Sequence, residues 1–135
     1  MRWSSSYFAS VCGMILSFSC VAAAEDLDPA WVVGKWHGFT GSPIGTNNGA
    51  PQITIKSDGT YEGDSSIQRQ GLVYYRDGKW NIVGDGITLQ HVTNPPNGAA
   101  AKVTWTLKRS GDRLEGMGYN ERNVGQFPVW LEKDK

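Results

Sequence analysis

Cysteine is scarce: Cys12 and Cys20 are the only two in 135 residues, and both fall within the first 24. Residues 25–135 therefore offer no thiol for a disulfide, a thiolate nucleophile or a cysteine-bound metal. Excess charge of either sign is also missing, with 13 basic against 13 acidic residues. That balance argues against nucleic acid or an anionic membrane surface as the main partner. No apolar run reaches the roughly 18 to 20 residues of a membrane-spanning helix, so stable membrane insertion is not expected. Helix signals are nearly absent after Gly34, which leaves an all-β reading for most of the chain.

The N-terminus is different in kind. "MRWSSSYFASVCGMILSFSCVAAA" carries Arg2, then an apolar stretch near Val11 to Val21, then small residues before the acidic "EDLD". This is the order of a secretory signal peptide, with cleavage expected after Ala24 because Ala22 and Ala24 satisfy the A-x-A rule. A membrane anchor competes with it, but Ser and Cys interrupt the apolar part. A lipid-bearing Cys20 also competes, but "SFS" before it lacks the usual aliphatic residue. The expected organisation is a signal peptide over 1–24 and a single domain over 25–135, in a periplasmic or secreted protein. Both cysteines and Arg2 leave with the signal. About 111 residues with a net charge of about −1 remain, enough for one modest core without metal or cross-link.

The remaining chain reads as short apolar-polar alternations punctuated by Gly, Asn, Asp and Pro. One helical turn is expected over "PAWVVG", capped by Asp28 with Pro29 at its first position and Gly34 ending it. The expected strands are "KWHGFTG", "QITIKS", "TYEGDSSI", "GLVYYR", "KWNIV", "ITLQHV", "AKVTWTLKR", "RLEGMGYNE" and "GQFPVWLEK". Asp58-Gly59 and Asp77-Gly78 both carry the signature of tight hairpin turns. Eight or nine hairpin-linked strands point to a sandwich or barrel. A closed antiparallel up-and-down β-barrel of about eight strands is preferred, because closure removes exposed edges. Gly63, Gly116 and Gly118 fall in the inward phase, where glycine permits sharp bending or leaves room for a ring opposite.

The triplet Gly-Lys-Trp occurs twice, at Gly34–Trp36 and Gly78–Trp80. A Gly-x-Trp opening the first strand after a helical turn resembles the start of lipocalins and related calycin barrels, as seen in the lipocalin-like domains of bacteria. The resemblance implies that Trp36 plugs one barrel end, with Gly34 before it and a basic residue of the last strand, here Lys133, packed across its ring. The second triplet is read as turn grammar: Gly78 completes a turn, Lys79 faces water, and Trp80 with Ile82 enters the core.

Chemistry has few places to hide. His37 alternates with Trp36 and is expected to face solvent; His91 shares the inward phase of Ile87 and Leu89. No G-x-S-x-G, H-E-x-x-H or Cys-His arrangement is present, and no catalytic residue is assigned. Glu62 and Asp64 are expected outside as solubilising charges, with no metal site and no cofactor. Tyr61, Tyr75, Trp80, Leu89, His91 and Trp105 are the candidate ligand-binding residues, and Tyr119 is a further strand aromatic. Either they form a filled core or they line a cavity for one small hydrophobic or aromatic ligand. The functional expectation is an exported non-enzymatic binder of such a ligand. The alternative is a protein-binding module or inhibitor of an extracytoplasmic enzyme such as a protease or lysozyme. It would act through rim residues Asn47, Asn48 and Pro95 and an outward Trp130.

Overall fold

The computed structural model describes residues 26–42, 47–94, 99–122 and 125–135. The expected signal peptide with its two cysteines, and Pro95, lie outside the described residues. A helical turn α1 (Pro29–Val32) precedes eight strands: β1 (Gly34–Thr40), β2 (Gly49–Ile55), β3 (Thr60–Ile67), β4 (Gly71–Val83), β5 (Gly86–Asn94), β6 (Ala101–Ser110), β7 (Arg113–Asn120) and β8 (Gln126–Lys133). They close as an antiparallel meander in sequence order, β1 pairing with both β2 and β8. The all-β, up-and-down barrel expected from the alternation is the observed fold. Closure leaves no sheet edge to be templated by another chain.

The local chemistry explains the element boundaries. The Asp58 carboxylate accepts from the Thr60 backbone N–H at 3.0 Å and from its hydroxyl at 2.6 Å, fixing the β2–β3 turn. Gly84-Asp85 and Gly111-Asp112 make the two-residue β4–β5 and β6–β7 turns, with φ of 61° at Gly84 and 63° at Gly111. Such values are costly for residues with a Cβ. Asp28 caps α1 by accepting from the Ala30 N–H at 3.0 Å, as its sequence position implies.

One expected turn is absent. Asp77-Gly78 lies inside β4, which runs unbroken for 13 residues and merges the two strands "GLVYYR" and "KWNIV" into one. Instead of a turn, the pair forms a β-bulge. Tyr61 and Gly63 of β3 face Gly78 and Tyr75 across the ladder, and Val92 and Gln90 of β5 face Arg76 and Lys79. In both ladders β4 carries one extra residue, and Asp77 takes φ of 56° to accommodate it. An Asp-Gly pair suits either device, because both need a residue tolerant of positive φ. β2 also begins earlier than expected, at Gly49, so Pro51 belongs to a strand and not to the loop before it.

The barrel has two unlike ends. The three tight turns, α1 and the C-terminus gather at one; the longer β1–β2, β5–β6 and β7–β8 connections gather at the other. The core fills the first end and the middle, with Leu89, Leu107, Leu114 and Leu131 all at 0% exposure. The arm before α1 is fastened there by the Leu27 N–H donating to the Gly84 carbonyl at 2.8 Å.

Candidate functional site

At the closed end, Trp36 is 1% exposed and its indole N–H donates to the Val32 carbonyl at 2.8 Å. That bond satisfies one of the carbonyls a four-residue helix leaves open. Lys133 stands opposite Trp36 in the β1–β8 ladder, its ammonium donating to the Trp31 carbonyl at 2.5 Å and lying 5.8 Å from the Trp36 ring centroid. Gly34 makes room for this with φ of 138°, and a Cβ there would meet Lys133 Cε at 3.2 Å. A cation the sequence did not single out sits closer to an indole: the Arg109 guanidinium lies 3.7 Å over Trp31. Trp31 in turn packs edge-on against Trp36. The barrel interior at this end is closed by the two edge-packed indoles and the cations beside them.

The open end holds a cavity of about 290 Å³. Its floor is an aromatic cluster made by the inward phases of β4, β5 and β6. The Tyr75 ring stacks on His91 at 4.0 Å, and Trp105 meets both edge-on at 5.5 Å and 5.0 Å. Beneath them the Tyr61 hydroxyl and His91 Nδ1 are hydrogen-bonded at 2.5 Å. Val73, Val103 and Phe127 supply apolar wall, while Thr40, Thr93 and Asn120 supply polar groups nearer the rim. Gly118 creates much of the available width: a Cβ there would lie 2.4 Å from Phe127 and 2.9 Å from Trp105. The expectation that an inward glycine makes room for a ring holds at this position. Gly63 and Gly116 serve a different end, since a Cβ on either would strike neighbouring backbone at 2.1 Å and 2.0 Å.

Burial governs the titratable groups of the floor. His91, 2% exposed, is pushed down to about 3, with burial as the cause, so the imidazole is neutral at ordinary pH. Burial likewise pushes the Tyr61 and Tyr75 hydroxyls well above the usual phenol range. The Ser65 hydroxyl eases the rise at Tyr75 slightly but forms no hydrogen bond of good geometry. The Ser65 hydroxyl and the Trp105 indole N–H are both enclosed and lack a hydrogen-bond partner among the described residues. An unsatisfied buried group of this kind costs about 1–3 kcal/mol.

The six candidate ligand residues are thus divided. Tyr75, His91 and Trp105 line the cavity. Tyr61 supports His91 from below, and Leu89 is core. Trp80 belongs to the closed end, half-buried, with its indole N–H donating to the Lys56 carbonyl at 2.8 Å. Its inward phase is correct but its height is wrong for a cavity residue, because Trp80 lies five residues beyond Tyr75 along β4, toward the β4–β5 turn. Tyr119 is half-exposed on the outer wall. His37 faces outward, 2.6 Å from Asp134, and Glu62 pairs outside with Lys56 at 2.8 Å.

Among the rim residues proposed for partner contact, Asn47 lines the cavity and the Asn48 carbonyl accepts from the Gln68 N–H. Trp130 points outward but is half-covered, stacked on Phe39 and capped by the Arg113 guanidinium at 4.1 Å. Sequence reasoning missed Phe127, although its phase with Val129 and Leu131 announces it. It also missed Arg122, whose place in a turn gives no periodic signal. No group of three or more metal-ligating side chains occurs among the described residues, and no helix there is long and apolar enough to cross a membrane. The chain matches no protein-family model, no curated protein and no solved structure.

Proposed function

We propose that this is an exported, non-enzymatic binding protein whose barrel holds one small hydrophobic or aromatic molecule, and that its architecture is lipocalin-like. The carrying observation is the open-end cavity with its aromatic floor, separated by a filled core from the sealed opposite end. A volume of about 290 Å³ lies at the low end of small-molecule sites, which suits a molecule of one or two rings. With Nδ1 of His91 taken by Tyr61, Nε2 is the ring nitrogen available to orient an occupant. A binding role fits the floor better than catalysis, because burial alone sets the His91 pKa and no charged group tunes it. Export is supported by the order of residues 1–24.

Native mass spectrometry on protein purified from its own host without denaturation tests the reading. A stoichiometric adduct that is lost on unfolding is the expected result, on a chain beginning at Glu25. A bare mass, with no melting shift against small aromatics, would refute the ligand reading. The second reading, a protein-binding module, is favoured by the outer wall of β7, where Met117 and Tyr119 are 42% and 50% exposed. It predicts that charge substitution at these two residues abolishes partner capture while leaving the cavity intact.

A further inference from the structure

We infer that the occupant of the open-end cavity is an aromatic carboxylate, its ring on the Tyr75–His91–Trp105 floor and its carboxylate at the rim against Arg122. This rests on the reading of the cavity as a ligand site and specifies the chemical class of the ligand.

The argument begins with charge. Among the described residues that line the cavity, Arg122 alone carries a formal charge, and no carboxylate lines it. Arg122 is also held in place. Its Nε donates to the Ala100 carbonyl at 3.0 Å, and its backbone N–H donates to the Asn120 side-chain oxygen at 2.9 Å. Its terminal amino groups make no ion pair among the described residues. The adjacent acid, Glu121, is turned to the Lys102 backbone N–H at 3.2 Å. A guanidinium fixed through Nε still presents two parallel N–H donors, the fork that matches a carboxylate. One such group with no second cation beside it suits a single negative charge better than a phosphate.

The other end of the ligand follows from the floor. Tyr75 and Trp105 stand perpendicular to one another, an arrangement that offers a planar ring both a face and an edge. Because His91 is buried and lacks a charged partner, the floor presents no cation to compete for the carboxylate. Ala100 lies five residues from Trp105 along the chain leading into β6, about 16 Å of strand. With the usual strand tilt of roughly 40° this is about 12 Å along the barrel axis. Allowing contact distances at both ends, that height suits a one-ring or fused two-ring acid. A long acyl tail does not fit, since the barrel below the floor is filled by Leu89, Leu107 and their neighbours.

The test is calorimetric titration of the full mature chain with benzoate, 2-naphthoate and 3-(indol-3-yl)propanoate, each paired with its carboxamide. The expected result is at least one acid binding about tenfold more tightly than its amide, the lower range for charge-assisted hydrogen bonds at a solvent-facing rim. Arg122→Gln should erase that preference, bringing acid affinity down to that of the amide, and a thermal melt checks that the variant keeps its fold. Equal binding of acids and amides, or an acid preference that survives Arg122→Gln, overturns this inference while leaving the ligand site standing. Binding by neither series overturns both.

Discussion

Replacing His91 tests whether the floor is as dry and neutral as its geometry implies. In the folded barrel His91 is pushed down to about 3, whereas in the unfolded chain it has its ordinary value of 6.5. Above pH 6.5 neither state holds the proton and stability is complete. Below it the unfolded chain takes up a proton that the folded barrel refuses, so stability falls as pH falls, by about 1.4 kcal/mol per unit. Between pH 7 and pH 4 the accumulated loss is about 3 kcal/mol, a large part of a small domain's total. The comparison protein is Tyr61→Phe/His91→Leu, because removing His91 alone strands the Tyr61 hydroxyl and removing both partners avoids that penalty. Asp58, whose carboxyl is held below its usual range by the Thr60 hydroxyl, adds acid sensitivity to both proteins and cancels in the difference. Urea unfolding followed by tryptophan fluorescence at pH 7, 6, 5 and 4 should show the native sequence losing about 3 kcal/mol more than the double variant. Parallel profiles would mean that His91 is protonated inside the folded barrel, and the dry, uncharged floor would have to be abandoned.

Three substitutions probe two glycines and the arginine held at positive φ among the described residues. Gly118→Ala places a Cβ against the far end of the Phe127 ring, which can rotate toward the cavity, whereas Gly116→Ala meets the Thr106 carbonyl at 2.0 Å and must part β6 from β7. The first should cost about 1–3 kcal/mol with an altered tryptophan emission, and the second should reach or exceed the top of that range; equal costs in denaturant melts would show that Gly118 does not set the cavity's width. Arg69 holds φ of 69° in the β3–β4 turn, so Arg69→Asn should raise the urea midpoint by the equivalent of about 0.5–1 kcal/mol. A lowered midpoint would show that the arginine side chain contributes more than its backbone costs.

The barrel was legible in the sequence because its evidence is local and repeated. Ile53 and Ile55, Val103, Trp105 and Leu107, and the turns at Asp58-Gly59, Gly84-Asp85 and Gly111-Asp112 each state strand phase independently. All of these resolve to one closed meander. The cavity was legible only in part. Phase identifies which side chains point inward, and of those it selects, Tyr75, His91 and Trp105 line the cavity. Phase carries no information about height along the barrel, so it also admitted Leu89 and Trp80, which lie in the filled half. Arg122 enters the cavity from the turn after β7, where periodicity has no meaning, whereas Asn120, the last residue of β7, continues the phase of Gly116 and Gly118. The partial cover on Trp130 depends on Phe39 and Arg113, which are distant in sequence and meet it only through β-strand register.

The two Gly-Lys-Trp triplets show how strongly phase and height interact. In β4, Val73 and Tyr75 point inward; uninterrupted alternation would then bring Asp77, Lys79 and Asn81 into the core and turn Trp80 and Ile82 out. The extra residue at the Arg76–Asp77 bulge shifts the phase by one, and Gly78, Trp80 and Ile82 become the inward set. Gly78 is required at the crossing because a Cβ there would lie 2.2 Å from the Tyr61 carbonyl. A turn at the same place would have ended the strand and left Trp80 free of Tyr75. The bulge instead keeps both on one long strand and divides their work: Tyr75 floors the cavity, and Trp80 closes the barrel beneath it beside the Lys56 carbonyl. Deleting Asp77 should therefore be tolerated: with the extra residue gone, unbroken alternation from Tyr75 keeps Gly78, Trp80 and Ile82 inward and Lys79 outward. A urea melt should show a folded barrel, and loss of the fold would refute the bulge as the source of the phase shift.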